Sequence, residues 1–236
     1  METQSSSRRG GILRRLLELL SFAIFALLVT HQPGLGEELS GDVWIIDGDT
    51  LQIDSTIVHL GGIDSPELGQ RCMIEGKEWR CGLEAALALR KLVAFGGVVC
   101  TSEESGPTVT GACAAAGKDL AEALLSQGYA VAGSEALPAY QGAEATAQAA
   151  ELGLWRGDFV RPEDWRRGAR LPDQASDTVF CVVKGTVSSE GQKIFYIPSD
   201  EEYRDIAIVP ERGERMFCSD DEAILAGWTR FPRERP

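Results

Sequence analysis

Acidic side chains are concentrated in one short stretch of the chain. Asp47 and Asp49 lie in the segment Asp-Gly-Asp-Thr, and Asp64 and Glu67 lie in Ile-Asp-Ser-Pro-Glu, one predicted strand later. Carboxylate oxygens bind hard divalent cations, and a cation held in this way neutralises phosphate oxygens and activates water. The simpler interpretation is that each segment is only a turn, since Asp, Gly, Ser and Pro favour turns. The two segments therefore indicate either a pair of turns or a metal site built from oxygen ligands.

Predicted strands place these carboxylates. Alternating apolar residues predict strands over residues 43–46, 50–54 and 56–60, with the Asp-Gly-Asp-Thr turn between the first two. Residues 68–82 contain two cysteines and are predicted to form a loop. A broad apolar face then predicts a helix over residues 83–95, which a pair of glycines ends.

The pattern of elements continues beyond this helix. Two strands are predicted over residues 98–115, a second helix from Lys118 to Gln127, and an Ala-rich third helix from Pro138. This order suits an α+β, mainly β fold, in which a five-stranded OB-type barrel carries three helices. Trp155 follows the third helix, and we expect it to pack in the core rather than to form a platform for substrate.

The C-terminal part has a different composition. Residues 161–178 are rich in Pro, Arg, Gly and Asp, and we interpret them as a linker. Residues 179–236 are predicted to form a small β/α module, in which Ser219 caps a helix that begins with acidic residues. A module of this size has a marginal core, so a disulfide would help to stabilise it.

The first residues have the features of a targeting segment. Four arginines precede an apolar run from Leu16 to Val29, and this run is shorter than the ~20 residues that a spanning helix needs. Residues 1–36 are therefore predicted to be a signal peptide, with an uncleaved anchor in the inner membrane as the alternative. Both interpretations predict an exported domain over residues 37–160, either periplasmic, secreted or attached to the membrane.

The cysteines support export. All six follow the targeting segment: Cys72, Cys81, Cys100, Cys113, Cys181 and Cys218. An even number of cysteines in an oxidising compartment predicts disulfides, and sequential pairing is the simplest arrangement. Zinc is the alternative, although the chain has no Cys-x-x-Cys spacing and only 2 histidines.

Taken together, the two acidic segments, the order of the elements and a Gly-Leu-Trp sequence after the third helix resemble the staphylococcal nuclease-like (thermonuclease-like) family. The resemblance implies a Ca²⁺-dependent phosphodiesterase on an OB-type barrel. It further implies that Asp49, Asp64 and the carbonyl of Ser65 bind the metal, that Glu67 activates water, and that Asp47 has a supporting role. The C-terminal module is similar to one that some bacterial members of the family carry.

Both arginines of the family pattern are replaced in this chain. His59 stands at the position of the first arginine and Thr108 at that of the second. An imidazole is only partly charged near neutral pH and cannot offer the two parallel donors of a guanidinium. His59 is therefore a candidate catalytic residue or simply a polar strand residue. Arg71, Arg80 and Lys118 are the candidates for supplying the missing charge from elsewhere in the fold.

These departures leave two hypotheses for function. The first is a nuclease-family hydrolase that is weak or degenerate because both arginines are replaced. The second is a pseudoenzyme, an exported OB-fold module that binds a partner without catalysis. A formal net charge of −13 disfavours nucleic acid as a partner and favours a basic protein, whereas a bound metal would keep nucleic acid available as a substrate.

Overall fold

A computed structural model describes residues 36–94, 96–174 and 181–231 of the protein. Residues 1–35 of the predicted targeting segment and residues 175–178 of the predicted linker lie outside the described residues. The described residues from Glu37 onward form one compact unit. Among the described residues, no helix is both long enough and apolar enough to cross a membrane.

The secondary structure alternates short strands with short helices. In chain order the strands are β1 (Glu37–Leu39), β2 (Val43–Ile45), β3 (Thr50–Ile53), β4 (Thr56–Leu60), β5 (Ile63–Asp64), β6 (Cys72–Ile74), β7 (Lys77–Trp79), β8 (Val98–Ser102), β9 (Thr108–Ala115), β10 (Lys118–Asp119), β11 (Val131–Ala132), β12 (Val183–Val187), β13 (Lys193–Tyr196), β14 (Arg215–Phe217) and β15 (Thr229–Arg230). The α-helices are α1 (Cys81–Val93), α2 (Leu120–Ser126), α3 (Pro138–Ala149), α4 (Pro162–Arg166) and α5 (Asp220–Leu225). Short 3₁₀ helices occupy Gly153–Arg156, Pro172–Gln174, Glu201–Arg204 and Pro210–Arg212.

The main sheet is curled, which confirms the predicted OB-like, mainly β fold. Its strands lie in the order β1, β8, β9, β4, β3, β2, and β10 pairs with β9. Strands β4 and β9 pair in parallel, which places Thr110 opposite His59, and the other pairs are antiparallel. The apolar inner face packs against α1, α2 and α3 through residues such as Val58, Leu89 and Leu124. The fold is thus mainly β with an OB-like, half-barrel sheet.

Two helix boundaries differ from the prediction. Helix α1 begins at Cys81 rather than Leu83, and the predicted loop before it contains the β6–β7 hairpin. The second predicted helix loses its first two residues, because Lys118 and Asp119 pair with β9. Helix α2 then begins after Asp119, whose side chain accepts a hydrogen bond from the Glu122 backbone N–H at 2.9 Å. The predictions followed apolar periodicity and missed these pairings between strands.

The three predicted disulfides are present. They join Cys72 to Cys81, Cys100 to Cys113 and Cys181 to Cys218. The second bridge crosses β8 and β9, where its cysteines lie directly opposite each other. The first secures the loop after Glu67 to the start of α1. Disulfides of this kind form in oxidising compartments.

The C-terminal module is a second small sheet with one helix. Strands β14, β12, β13 and β15 are neighbours in that order, and α5 follows β14. Ser219 caps α5 as predicted, because its side chain accepts a hydrogen bond from the Glu222 N–H at 3.0 Å. Phe195 and Phe217 share a buried core with Ile57 of β4 in the curled sheet and with Ile46, which directly follows β2. The module therefore packs on the face of that sheet opposite to the main core.

Candidate active site

The turn between β2 and β3 sets the position of the first two carboxylates. Asp47 Oδ1 accepts a hydrogen bond from the Asp49 N–H at 3.1 Å, as in an Asx turn. A Cβ atom on Gly48 would overlap the Ser65 side chain, so only glycine allows this close approach. Asp49 Oδ2 then accepts a hydrogen bond from the Ser65 N–H at 2.5 Å. The segment is therefore a turn, and the turn brings Asp49 against the second acidic segment.

The second segment is held from both sides. Asp64 ends β5, where it pairs with Val131 of β11, and the Ser65 hydroxyl lies 3.3 Å from the Tyr129 carbonyl oxygen to which it donates. Glu67 is 5% exposed. Its carbonyl packs against Gly82 in the first turn of α1, where a larger residue would overlap it. The backbone thus fixes the carboxylate of Glu67 in a buried position.

Burial and mutual repulsion change the titration of these acids. Burial, followed by the charges of Asp47, Asp64 and Glu67, raises the pKa of Asp49 well above its ordinary value, while the hydrogen bond from Ser65 opposes the rise. Burial and the charge of Asp47 likewise raise the pKa of Glu67 to about 8, against an opposing hydrogen bond from Arg166. These carboxylates resist being ionised at the same time. A bound cation would stabilise their ionised forms.

Arg166 supplies a guanidinium to this site. Its Nη1 donates to Asp64 Oδ1 at 2.9 Å and to Glu67 Oε1 at 2.7 Å, and its Nη2 donates to Asp64 Oδ2 at 3.0 Å. The pair with Asp64 is bidentate, the geometry that a guanidinium forms with a carboxylate. Burial lowers the pKa of Arg166, but its hydrogen bonds to the two carboxylates outweigh burial and raise it. The sequence-based interpretation missed this residue.

Arg166 lies on a short helix that is fastened to the domain. Helix α4 begins at Pro162 and buries Trp165, which is 4% exposed. Before α4, Gln70 Nε2 donates to the Val160 carbonyl at 2.7 Å; after it, Gln174 Nε2 donates to the Arg71 carbonyl at 3.2 Å. Residues 161–174 of the predicted linker are therefore anchored on the domain. The Trp inside this Pro- and Arg-rich segment was the one sequence signal for such packing.

The other cations that the sequence suggested have different surroundings. Arg71 forms an ion pair with Glu78 at 2.5 Å. Arg80 precedes α1, and Lys118 pairs with Ala115 across β9 and β10. Thr108 begins β9, where it pairs with Ile57. Within the described part of the chain, the cationic side chain that forms ion pairs with Asp64 and Glu67 is Arg166.

His59 faces the C-terminal module. Its Nδ1 lies 3.1 Å from the Thr50 hydroxyl, which in turn donates to Asp49 Oδ1 at 3.1 Å. Its Nε2 lies 3.5 Å from Asp221 Oδ1. His59 is therefore connected to the metal-ligand candidate Asp49 through one hydroxyl and to α5 through a carboxylate. Its role in catalysis stays a prediction.

Helix α5 adds a carboxylate that the sequence did not place at the site. Asp220 is 3% exposed and lies with Asp47 and Glu67 so that one oxygen of each is within 4.8 Å of the others. Burial, followed by the charges of Asp47, Asp221 and Glu67, raises the pKa of Asp220. The sequence analysis accounted for Asp220 only as an acidic residue in the first turn of a helix, where it interacts favourably with the helix dipole. Its place at the site depends on the docking of the module.

Comparison with known proteins relates part of this chain to a family. The family model "Staphylococcal nuclease homologue" matches residues 57–157, which include Asp64 and Glu67 but neither Asp49 nor Arg166. The chain is 35% identical over 161 residues to the "Succinoglycan biosynthesis protein ExoI" of Rhizobium meliloti (strain 1021), covering 64% of this chain and 81% of that protein. The carboxylates of the second segment thus lie within the shared region, whereas the guanidinium comes from beyond the match to the family model.

Proposed function

The chain belongs to the staphylococcal nuclease-like family, and we propose that it hydrolyses phosphodiester bonds with the help of a hard divalent cation and Arg166. The observation that carries the proposal is the position of the Arg166 guanidinium, 2.7 Å from Glu67 Oε1 and bidentate on Asp64. Arg166 thus supplies the permanent positive charge of a guanidinium, which His59 and Thr108 cannot provide in place of the two arginines of the family pattern.

Asp49, Asp64 and the Ser65 carbonyl would hold the cation. Oxygen ligands of this kind suit Ca²⁺, on which the family depends. The fit rests on the crowded carboxylates around Asp49, whose mutual repulsion a cation would relieve. When bound, the cation neutralises phosphate oxygens and the charge that develops on them. Asp64 already holds a guanidinium through both oxygens, so Arg166 and the cation compete for this carboxylate.

Glu67 would accept a proton from the attacking water. A general base works best when its pKa lies near the operating pH, and burial raises the pKa of Glu67 to about 8. Gln70 fixes this residue, because its Oε1 accepts a hydrogen bond from the Glu67 N–H at 3.3 Å. Gln70 thus fixes the backbone at Glu67, and Arg166 orients the carboxylate by donating to Oε1 at 2.7 Å.

Arg166 would bind the phosphate. Its side chain is 33% exposed, so the guanidinium reaches solvent from the same position in which it contacts the buried Glu67. A phosphate that replaces Asp64 as its partner would receive the same two parallel hydrogen bonds. Electrostatic stabilisation of this type is commonly worth ~10²–10³ in rate, which explains why one well-placed arginine could maintain hydrolysis.

The substrate and the compartment belong to the same proposal. The three disulfides and the targeting pattern of residues 1–36 support export. A net charge of −13 makes a large nucleic-acid interface unfavourable outside the site. The relative in Rhizobium meliloti is named for succinoglycan biosynthesis, so both a nucleic acid and a small phosphodiester should be tested as substrates.

Hydrolysis by the full chain provides the test. Single-stranded DNA and bis(4-nitrophenyl) phosphate would be incubated with the wild type over a Ca²⁺ titration. Glu67→Gln removes the base and Asp64→Asn weakens the cation site, and both substitutions preserve side-chain shape. Glu190→Gln is the matched control, since Glu190 is exposed and belongs to the hairpin turn between β12 and β13.

The proposal expects Ca²⁺-dependent cleavage that Glu67→Gln and Asp64→Asn abolish and that Glu190→Gln leaves unchanged. Cleavage at the background rate of Glu67→Gln, on both substrates and at all Ca²⁺ concentrations, would contradict it. That result would support the second hypothesis, an exported binding module whose carboxylates have no catalytic role.

A further inference from the structure

We propose that Asp47, Glu67 and Asp220 form a second site for a hard divalent cation, which joins the C-terminal module to the curled sheet. This site differs from the cation site of Asp49, Asp64 and Ser65 in its ligands and in its dependence on α5. It shares Glu67 with the proposed hydrolysis, but it rests on the arrangement of the three carboxylates and is tested at Asp220 and Asp47.

The distances between the three groups suit one ion. One carboxylate oxygen from each residue lies within 4.8 Å of the other two, and two ligands of the same Ca²⁺, each ~2.4 Å away, can be no further apart than about this distance. All three residues are nearly inaccessible, with exposed fractions of 7% for Asp47, 5% for Glu67 and 3% for Asp220. Buried carboxylates are commonly paired with a cation or coordinate a metal.

Asp220 has an oxygen that still lacks a partner. Among the described residues, Asp220 Oδ2 is fully buried and accepts no hydrogen bond. Arg166 satisfies Glu67 Oε1, and the Asp49 N–H satisfies Asp47 Oδ1. Each carboxylate has a second oxygen with which it could contact an ion. An unsatisfied buried oxygen is costly, and beside two other carboxylates a cation would relieve that cost; without a cation, a proton that Asp220 shares with Asp47 relieves part of it.

The start of α5 is built rigidly enough to offer a ligand. The Ser219 side chain accepts a hydrogen bond from the Glu222 N–H, and Glu222 Oε2 accepts one from the Cys218 N–H at 2.8 Å. Cys218 is also tied to Cys181 by a disulfide. This capping arrangement fixes the backbone of Asp220 before any ion binds. Asp47 is fixed in the same way by its turn, so the ligands come from two pre-formed segments.

Calcium binding to the full chain, freed of metal with a chelator, tests the site. Isothermal titration with Ca²⁺ and with Mn²⁺ should give about two bound ions per chain. Asp220→Asn should remove one of them and leave the ion that Asp64→Asn removes. Asp221→Asn is the matched control, since Asp221 is the next residue of α5 and its side chain is 51% exposed. It should keep both ions.

Thermal unfolding supplies a second, independent readout. Without metal, Asp220→Asn should unfold at the same temperature as the wild type or higher, because it removes one of three crowded, buried carboxylates. With Ca²⁺ the order should reverse, because only the wild type gains the second ion. A residue with a merely structural role would destabilise the protein under both conditions. Asp47→Asn provides a second variant with the same expectation.

Three results would overturn the proposal. The first is an unchanged number of bound ions in Asp220→Asn and Asp47→Asn. The second is an ion that Asp221→Asn removes and Asp47→Asn retains, since the ligands would then be His59, Asp220 and Asp221, which also lie close enough to share an ion. The third is a loss of stability in Asp220→Asn that Ca²⁺ does not affect. None of these results depends on hydrolysis, so the failure of this site and the failure of the proposed activity can be told apart.

Discussion

Arg166 and Asp64 lie 102 positions apart in the sequence, yet Arg166 binds both carboxylate oxygens of Asp64, at 2.9 and 3.0 Å. The guanidinium therefore occupies the carboxylate that the cation of the active site needs as a ligand. We predict that Arg166→Ala binds Ca²⁺ more tightly than the wild type, because Asp64 is released, but cleaves substrate ~10²–10³ times more slowly. Calorimetry and kcat/KM on the same preparations would measure the two effects.

Arg167→Ala is the control for this prediction. Arg167 is the neighbour of Arg166, its side chain is 68% exposed, and it pairs with Glu163 on the surface of the same segment. Its removal should change neither Ca²⁺ affinity nor rate. A parallel loss of rate in both variants would mean that the segment needs positive charge in general. A loss of both rate and Ca²⁺ affinity in Arg166→Ala would mean that Arg166 supports the fold rather than the reaction.

Gln70 connects the second acidic segment, which contains Glu67, to the chain just before α4, which carries Arg166. Its side chain is fully buried, accepts a hydrogen bond from the Glu67 N–H and donates to the Val160 carbonyl. Gln70→Leu would leave both backbone groups without a partner, and we expect a loss of about 1–3 kcal/mol in the free energy of unfolding. Urea unfolding would measure it. The control is Gln127→Ala, because Gln127 is exposed at the end of α2; this substitution should change the free energy of unfolding by less than about 0.5 kcal/mol.

The local parts of this site could be predicted from the sequence, because they rest on short-range patterns. Asp49 and Asp64 come together because Asp49 precedes β3, the paired strand β4 ends beside it with the Leu60 N–H bonded to the Asp49 carbonyl, and Asp64 follows β4 after two glycines. The Ser219 cap and the opposed cysteines of β8 and β9 also follow from local rules. Each of these features requires only residues that are near in sequence or in adjacent strands.

Arg166 and Asp220 could not be placed in this way, because their positions depend on docking between distant segments. A weak signal for docking exists in β4, where Ile57 and Val58 point to opposite faces of the sheet and are both buried. Val58 packs in the main core and Ile57 in the core shared with the C-terminal module. Consecutive apolar residues in a strand indicate a sheet that is covered on both faces. That reading predicts a covering element, but it does not say which residue enters the site.

The titration of Glu67 makes stability depend on pH. Burial, then the charge of Asp47, raises the pKa of Glu67 from 4.5 to about 8. Between these values the folded chain keeps a proton that the unfolded chain releases, so the metal-free protein should lose stability as pH rises from about 4.5 to 8. The same direction holds for Asp49 and Asp220, whose pKa values burial also raises.

Urea unfolding at several pH values, in the presence of a chelator, would measure this slope. Glu67→Gln cannot ionise and should flatten it, whereas the exposed Glu190→Gln should not. Addition of Ca²⁺ should also reduce the loss of stability at high pH, because the cation favours the ionised carboxylates. A slope of opposite sign would show that Glu67 is ionised in the folded chain through its pair with Arg166.

The disulfides are expected to differ in their effect on the site. Cys181 and Cys218 are 37 residues apart, and Cys218 comes two residues before Asp220. Closing a loop of this length contributes about 4 kcal/mol in the chain-entropy model, so replacing both cysteines by serine should strongly destabilise the module. Because α5 then loses its anchor, Ca²⁺ binding at the second site should weaken as well.

The bridge between Cys100 and Cys113 provides the comparison. Its cysteines are 13 residues apart and lie within the curled sheet. Removal of this bridge should lower the free energy of unfolding by about 3 kcal/mol without loss of a bound ion. Calorimetric titration of the two double variants, below their unfolding temperatures, would test the distinction. Equal effects on the number of bound ions would mean that the module does not contribute a ligand.

His59 and Asp221 determine whether a second guanidinium can be restored. Asp221 Oδ1 lies 3.5 Å from His59 Nε2, and an arginine introduced at position 59 would pair with this carboxylate more readily than it would bind a phosphate. His59→Arg alone should therefore increase kcat/KM only slightly. In the double variant with Asp221→Asn the new guanidinium loses this exposed partner and only the buried Asp220 remains beside it in that group, so the rate should rise by more than the product of the two single effects. Asp221→Asn alone measures the general benefit of removing negative charge near the substrate. Additive effects in this double-mutant cycle would show that Asp221 does not restrain the residue at position 59.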